Sequence, residues 1–371
     1  MRSLTLRRTP VRVAAVACLA LGVTAATVPV SPAAVALEPP TAAPTSLAAA
    51  NPFPAYTRFN IPAEDGTRDR AIEDELVRLA DGVPAGSYIR GVMFSWSSPV
   101  VAEALARAAA RGAVVRVVLD ETGGGVNTRA DNEAIRILRS ANLDDLVICG
   151  KTSAAVAGST ACIGNKSTSI NHNKIFTFST SGSMKRVVVV TSQNLTFSQN
   201  NYFNSALIVH EDYDLYDHFT RYFNDLRAQR KNNDYFNAAN GYYKSPNTGV
   251  TVYHSPRADS DTLANRLAEV NAYEPGCSVD VAHAQLTDAR PEVANQLRRI
   301  GRMGCRVRVV YGSMGSTTYN TLRGQPNISL KKYYDAEASN YDGRVVTVHS
   351  KNIIIRGTFN GVSGRSLVFT G

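Results

Sequence analysis

The sequence repeats itself, and this repeat constrains the fold more than any other feature. The segment "AVVRVVLD" (113–120) is followed 192 residues later by "CRVRVVYG" (305–312), and both contain Val-Arg-Val-Val. Each segment follows a helix-like stretch, "VAEALARAAARG" (101–112) in one case and "PEVANQLRRIGRMG" (291–304) in the other. The same order of similar segments indicates two copies of one structural unit.

Further strand-like segments complete each copy as β-α-β-α-β. They are "YTRFNIP" (56–62) and "YIRGVMFSW" (88–96) in the first copy, and "VTVYHSP" (250–256) and "CSVDVAHAQ" (277–285) in the second. Alternating strands and helices predict an α/β fold in which a mixed, mostly parallel sheet is covered by helices. We expect two similar halves, 56–240 and 241–371, packed about a pseudo-twofold axis.

The amino terminus has the pattern of an export signal. Four arginines precede an apolar stretch from Val13 to Val28, and Ala34-Val35-Ala36 forms a small-residue cleavage site. Residues 1–36 are therefore predicted to be a signal peptide, and the mature protein to be secreted. Residues 37–55 contain five prolines among Ala, Thr and Ser, which favours a disordered linker.

The net charge is moderately positive. The full chain carries +9, and removing residues 1–36 takes away four arginines and no acid, so 9 − 4 leaves +5. This charge gives only weak support for binding to nucleic acid or to an anionic surface. No later segment is apolar and long enough to span a membrane, and we expect a monomer without a transmembrane segment.

Four cysteines follow the predicted signal: Cys149, Cys162, Cys277 and Cys305. An even number of cysteines in an oxidising compartment predicts two disulfides, for which three pairings exist. Proximity in the sequence favours Cys149–Cys162 and Cys277–Cys305. A zinc site is the alternative, but no histidine lies at ligand spacing from either pair.

Two His-x-Lys triplets open strand-like segments, in "INHNKIFTF" (170–178) and in "VTVHSKNIII" (346–355). Lysine is rare here, with 9 of 40 basic residues, so two such triplets in matched settings form a signal. Residues i and i+2 of a strand share a face, which places His172 beside Lys174 and His349 beside Lys351. If the halves converge, the two lysines can bind a phosphate anion, and the two histidines can act as nucleophile and general acid.

Polar residues follow the strand after the first triplet. In "RVVVVTSQNLT" (186–196), Ser192 and Asn194 are again i and i+2, at the end of the neighbouring strand. We expect both side chains to donate hydrogen bonds to the same phosphate.

These residues resemble the signature of the phospholipase D superfamily, which is His-x-Lys, four residues, Asp, and then Gly-Ser-x-Asn. The resemblance implies that the two halves form one active site without a metal or other cofactor. It also implies that His172 attacks phosphorus to give a phosphohistidine and that His349 protonates the leaving alcohol. Lys174, Lys351, Ser192 and Asn194 would then hold the phosphate.

The sequence departs from that signature at several positions. The acid expected after each triplet is Ser179 in the first half and Arg356 in the second, and Thr191 replaces the glycine before Ser192. Gly371 corresponds to the glycine before a second Ser-x-Asn. We therefore expect the second half to be incomplete and the natural chain to continue with Ser-x-Asn and a helix that covers an apolar sheet face.

The resemblance implies a secreted phosphodiesterase that hydrolyses glycerophospholipid headgroups at a membrane or micelle surface, with transfer to other alcohols as a further activity. Two alternatives remain open: a secreted nuclease, and an inactive protein that binds phosphate or lipid. His283 and Trp96 end equivalent strand-like segments, so both could reach the same cleft, although a structural role is the favoured interpretation.

Overall fold

The structure, a computed structural model, describes residues 54–63, 67–120, 132–150, 161–335 and 345–371. The predicted signal peptide, residues 1–36, and nearly all of the predicted linker, residues 37–55, lie outside these ranges. The boundary between the halves at residue 240 stays a prediction.

The described part of the first half contains seven strands and four helices. They are β1 (Ala55–Asn60), α1 (Ala71–Asp81), β2 (Tyr88–Met93), α2 (Pro99–Ala110), β3 (Val114–Leu119), α3 (Glu133–Ser140), β4 (Asp145–Ile148), β5 (Lys174–Ser181), β6 (Met184–Thr191), β7 (Tyr202–Val209) and α4 (Tyr213–Arg227). Local chemistry sets the helix starts. Helix α2 begins at Pro99, which suits a first helical position, and the Asp212 carboxylate before α4 accepts a hydrogen bond from Leu215 N at 3.0 Å.

The described part of the second half repeats the alternation. Its elements are β8 (Tyr242–Lys244), β9 (Thr251–Tyr253), α5 (Thr262–Ala268), β10 (Val270–Ala272), β11 (Ser278–Leu286), α6 (Pro291–Arg302), β12 (Arg306–Met314), α7 (Ser316–Leu322), β13 (Ile328–Lys332), β14 (Tyr334–Asp335), β15 (Val346–Val348), β16 (Lys351–Phe359) and β17 (Val362–Phe369).

The two halves form sheets with the same central pattern. The larger sheet has the order β14-β15-β7-β6-β5-β2-β3-β4, with β1 also paired to β7, and the smaller has the order β10-β16-β11-β12-β13, with β17 beside β16. Strand β2 is parallel to β3 and antiparallel to β5, and β11 is likewise parallel to β12 and antiparallel to β16. The predicted α/β class, with repeated mixed sheets flanked by helices, is confirmed. Among the described strand pairs, however, antiparallel pairs outnumber the parallel pairs that were expected to dominate.

Helices cover both faces of the larger sheet. Leu76, Leu105 and Leu138 of α1, α2 and α3 are buried in the core on one face. Phe219 and Phe223 of α4 are buried in a separate core on the other face. The central strands are therefore apolar on both sides, and each large side chain that is removed from water contributes about 1.5–3 kcal/mol to folding.

The smaller sheet has a helical cover on one face, where Leu267, Leu297 and Leu322 of α5, α6 and α7 are buried. On the opposite face the Asp280 carboxylate accepts a hydrogen bond from Arg308 Nε at 2.6 Å.

Arg356 also lies on this opposite face, with its Nη1 3.4 Å from the Asp280 carboxylate. Among the described residues, this face is mixed rather than wholly apolar. It carries Asp280, Arg308 and Arg356, but also Ile354, which is half-buried, and Val368, which is 68% exposed.

Both disulfides favoured by sequence proximity are present, Cys149–Cys162 and Cys277–Cys305. All four cysteines are buried. No helix among the described residues is both long and apolar enough to cross a membrane.

A buried aromatic stack beside α4 contains two histidines. The ring of His218 stacks on Tyr243 at 4.8 Å and on His254 at 5.2 Å, and His254 stacks on Tyr222 at 3.5 Å between centroids. The Nε2 atoms of both histidines are buried without a hydrogen-bond partner. Burial lowers the pKa of His218 to about 4 and lowers the pKa of His254 well below its ordinary value.

The free energy of unfolding is expected to fall as the pH drops from about 6.5 to about 4. In this window the unfolded chain binds protons at these histidines while the native protein does not, so acid favours unfolding. His218→Phe keeps an aromatic ring in the stack but removes one titrating group, and should lose less stability than the wild type between pH 7.5 and pH 4.5. Urea unfolding at both pH values measures this difference, and equal losses for the two proteins would contradict the assignment.

Candidate active site

The pairing of β15 with β7 brings the second His-x-Lys motif against the first half. The two strands are parallel, with Val348 opposite Phe203. The carbonyl oxygen of Phe203 accepts hydrogen bonds from the backbone N–H groups of His349, at 3.0 Å, and Ser350, at 2.9 Å. Because β7 also belongs to the larger sheet, the second motif is fixed relative to the strand that carries the first.

The two motifs have nearly identical geometry. Lys174 Nζ donates a hydrogen bond to the carbonyl oxygen of His172 at 2.8 Å and lies 3.3 Å from its Nδ1. Lys351 Nζ donates to the carbonyl oxygen of His349 at 2.7 Å and also lies 3.3 Å from its Nδ1. Each lysine therefore lies next to its histidine, as predicted, although His172 precedes β5 and His349 lies between β15 and β16 rather than within a strand.

Electrostatic coupling places the four side chains in one site. Burial, followed by the charges of Lys174 and Lys351, lowers the pKa of His172 to about 3, although part of its ring reaches solvent. Burial and the same two charges lower the pKa of His349 well below its ordinary value. The site thus presents two neutral imidazoles between two ammonium groups.

The pKa values of the two lysines are lowered as well. Burial, followed by the charge of Lys351, lowers the pKa of Lys174, and burial lowers the pKa of Lys351 to about 8. Removing the ammonium groups from water is unfavourable without an opposing charge. An anion bound between them would supply that charge.

Asp120 is a site residue that the sequence pattern did not identify. It follows β3, is buried, and accepts a hydrogen bond from Asn171 N at 2.5 Å. Its negative charge opposes the lowering of the Lys174 pKa. The sequence signal for Asp120 was an acidic residue directly after a buried strand. Its proximity to Lys174 could not be predicted from this signal, because it depends on the pairing of both β3 and β5 with β2.

Asn204 of β7 orients His349. Its Oδ1 lies 3.0 Å from His349 Nδ1, and its Nδ2 donates to the carbonyl oxygen of Gln199 at 3.0 Å. The Asn204 amide directs its Nδ2 toward Gln199, so its Oδ1 faces His349. Because an amide oxygen can only accept a hydrogen bond, Nδ1 of His349 must carry the proton. The other nitrogen of neutral His349, Nε2, is then a hydrogen-bond acceptor.

The Ser192 hydroxyl is occupied by protein partners. It donates to Asn204 Oδ1 at 2.9 Å and accepts from Ser205 N at 3.0 Å. This geometry indicates that Ser192 holds Asn204 in place, whereas contact with the phosphate stays a prediction. Asn194 is buried, and its Oδ1 has no hydrogen-bond partner in the structure.

The expected equivalence of His283 and Trp96 is wrong. The strand partner of Lys351 is His283, but the strand partner of Lys174 is Met93. Trp96 is fully buried in the first core, at 6.1 Å from the ring of Phe176, and does not reach the cleft. Short strands from one sequence can be misaligned by a few residues, because each matches several registers equally well.

His283 does lie near the site. Burial, followed by the charge of Lys351, lowers the pKa of His283 to about 4. Among the described residues, no group of three or more His, Cys, Asp or Glu could hold a metal ion. The positive charge available to a substrate here comes from Lys174 and Lys351.

Residues 84–227 match the family model described as "Cardiolipin synthase, PLD-like domain". This segment contains His172, Lys174, Ser192 and Asn194. Over residues 84–227 the chain therefore matches the phospholipase D superfamily. The family expected from the two His-x-Lys motifs is therefore confirmed.

Several solved structures are similar to the chain at low identity. Polyphosphate kinase from Porphyromonas gingivalis has a TM-score of 0.49 and 14% identity, over 85% of this chain and 45% of that chain. Nuc from Salmonella typhimurium, a phospholipase D family member, has a TM-score of 0.34 and 18% identity, over 47% of this chain and 95% of that chain. Yeast tyrosyl-DNA phosphodiesterase has a TM-score of 0.40 and 11% identity, over 81% of this chain and 79% of that chain. The chain spans less than half the length of the polyphosphate kinase, and no curated protein matches its sequence.

Lys174→Arg is expected to lower kcat/KM for phosphodiester hydrolysis nearly as much as Lys174→Ala, by about 10²–10³-fold. Lys174 is only 4% exposed, and its Nζ donates to the His172 carbonyl oxygen at 2.8 Å, so the larger, planar guanidinium of an arginine would have to bury additional atoms at this position. Steady-state kinetics give the comparison.

Lys185→Arg is the matched control, because Lys185 is exposed on β6, and it should stay within about twofold of the wild type. A Lys174→Arg variant within about threefold of the wild type would show that any cation suffices at this position.

Proposed function

We propose that the protein is a secreted phosphodiesterase of the phospholipase D type that hydrolyses the headgroup bond of glycerophospholipids without a metal cofactor. The observation that carries this proposal is the presence of two His-x-Lys pairs with matching geometry, electrostatically coupled in one site. A phosphodiester carries one negative charge, and two buried ammonium groups provide the complementary charge.

The first step breaks the bond to the headgroup. A ring nitrogen of His172 attacks phosphorus to form a P–N bond, and the P–O bond to the headgroup alcohol breaks. His349 donates a proton to the departing oxygen, so that a neutral alcohol leaves. The lysines hold the non-bridging oxygens, where negative charge increases in the transition state.

The second step releases the enzyme. His349, now neutral, accepts a proton from water, and the water oxygen bonds to phosphorus as the P–N bond breaks. The products are phosphatidic acid and free His172. An alcohol in place of water would give transfer of the phosphatidyl group.

The hydrogen bonds of the two histidines support this division of roles. Asn204 Oδ1 can accept the Nδ1–H of His349 in both the neutral and the protonated ring, which leaves Nε2 free to gain and lose a proton. Each Nδ1 also lies 3.3 Å from the lysine of its own motif, so among the described contacts it is the bond to Asn204 that distinguishes His349 from His172. A bound phosphate would offset the charges of both lysines and raise the pKa of His349 toward the range in which it can donate a proton.

Three features support secretion and a lipid substrate. The predicted signal peptide and the two disulfides suit an oxidising, extracellular compartment. The matching family model is named for cardiolipin synthase, a lipid enzyme by its name. The modest net charge expected after removal of the signal gives only weak support for a nucleic-acid substrate.

Two of the departures from the family signature, Ser179 and Arg356, lie outside the contacts of the motif side chains. Ser179 Oγ accepts a hydrogen bond from Tyr88 N at 2.8 Å, and Arg356 pairs with Asp280 on the opposite sheet face. The loss of the two expected acids therefore removes no group that touches His172 or His349, which favours an active enzyme over an inactive binding protein.

Choline release from phosphatidylcholine vesicles is expected in EDTA, and plasmid nicking is not expected in the same buffer. The lysines supply the charge that a metal ion otherwise would, so EDTA should leave the rate unchanged. His172→Asn and His349→Asn serve as inactive controls that exclude a contaminating enzyme. Nicking without choline release would identify a nuclease, and lipid binding without either reaction would identify an inactive binding protein.

A covalent adduct is expected on the peptide that contains His172. Rapid denaturation at alkaline pH during turnover of a short-chain lipid, followed by mass spectrometry, should show a phosphatidyl group on this peptide. An adduct on the His349 peptide would reverse the two roles. An active enzyme without any adduct would rule out the two-step mechanism.

A further inference from the structure

A pocket of about 410 Å³ lies beside His172. One wall is the segment 161–173, another is α4 through Tyr222 and Leu226, and the third is the segment 253–256. Of the four His and Lys side chains of the candidate active site, His172 is the one that lines this pocket in the described structure. The volume is within the range of about 300–1,000 Å³ that is usual for small-molecule sites.

The walls of the pocket are held in place by contacts outside it. The carbonyl oxygen of Ile163 accepts a hydrogen bond from Asn232 N at 2.9 Å, and the disulfide at Cys162 anchors the same wall. The stacked rings of Tyr222 and His254, 3.5 Å apart, join the other two walls. The pocket is therefore preformed, which lowers the entropic cost of binding.

The lining carries no full charge. None of the described residues that line the pocket is Asp, Glu, Lys or Arg. The apolar side chains include Ile163, Ile170 and Leu226, and the neutral polar ones include Ser169 and Asn173. A charged group would lose its water here without a counter-charge, and the repeated phosphates of a nucleic acid would find no cation. The lining suits a neutral group with both apolar and hydrogen-bonding parts.

The geometry points to this pocket as the binding site for the diacylglycerol part of a phospholipid, an assignment that rests on the proposed function. When His172 attacks phosphorus, the leaving alcohol departs from the opposite side, and the group that stays on phosphorus projects sideways from the line that joins the attacking and leaving atoms. A pocket lined by His172 but outside that line can therefore receive this group. In a phospholipase D reaction that group is diacylglycerol. It is neutral, it has two ester groups, and its chains are apolar.

The volume limits how much of the lipid enters. The glycerol esters and the first methylenes fill a space of this size, and the remaining chain leaves past Ile170, whose side chain is 48% exposed. Chain length should therefore matter only over the first few carbons. Each methylene that enters an apolar site increases affinity by roughly threefold to fourfold.

The first experiment compares monomeric substrates of increasing chain length: glycerophosphocholine, dibutanoyl- and dihexanoyl-phosphatidylcholine. For the wild type, kcat/KM should increase by at least about tenfold from the first to the last. Ile170→Trp and Ser255→Trp place a bulky ring at two exposed positions of the lining, and should lower the ratio of kcat/KM for dihexanoyl lipid to that for glycerophosphocholine by about tenfold. Val362→Trp, on β17 with 54% exposure, is the matched control and should keep the wild-type ratio.

The second experiment measures binding of dihexanoylglycerol by calorimetry, which needs no catalysis. The wild type and Val362→Trp should bind this ligand, and Ile170→Trp and Ser255→Trp should bind it at least about tenfold more weakly. Such binding in a protein that releases no headgroup would support the pocket and contradict the proposed function. Two outcomes would overturn the pocket assignment and leave the proposed function standing. In one, the wild type releases the headgroup but does not bind dihexanoylglycerol. In the other, all four proteins show the same ratio of kcat/KM for the two substrates.

Discussion

Three consecutive residues of β7 hold the second motif in place, and the rest of the site depends on these contacts. The carbonyl oxygen of Phe203 accepts the backbone N–H groups of residues 349 and 350, Asn204 Oδ1 bonds His349 Nδ1 at 3.0 Å, and Ser205 Oγ donates to Asn352 Oδ1 at 3.1 Å. The register of β7 with β6, in which Thr191 is opposite Ala206, sets the position of all three. A slip of one residue would turn Asn204 to the other face of the strand.

Placing two ammonium groups and two imidazoles in one partly buried site is unfavourable in the absence of substrate. Burial lowers the pKa of both Lys174 and Lys351, and the charge of Lys351 lowers the pKa of Lys174 further, so protons are held less tightly there than in water. Asp120 offsets part of this repulsion. A phosphodiester would offset much of the rest, so binding and the charge state of the site are linked.

The turn from Ser192 to Asn194 is held by a chain of buried amides. Asn60 Nδ2 donates to Gln193 Oε1 at 2.9 Å, Gln193 Nε2 donates to Asn200 Oδ1 at 2.8 Å, and Asn200 Nδ2 donates to the Glu73 carboxylate at 2.9 Å. Removing one member would leave its partners unsatisfied, which typically costs about 1–3 kcal/mol. These bonds connect β1 and α1 to the turn, so the candidate phosphate-binding residues lie on a rigid support.

The sequence by itself determined the repeated α/β units, the adjacent placement of histidine and lysine in each His-x-Lys pair and the two disulfides favoured by proximity. These features follow from short-range rules, because the periods of strands and helices and the spacing of cysteines are local. Only the tertiary structure decided that Asn204 would orient His349, 145 residues away, and that Met93 rather than Trp96 would be the counterpart of His283. It also decided that the pocket beside His172 would be closed by α4 and the segment 253–256. Such contacts join residues far apart in the chain. Their distances are fixed by strand pairing and helix packing, which local patterns in a single sequence do not reveal.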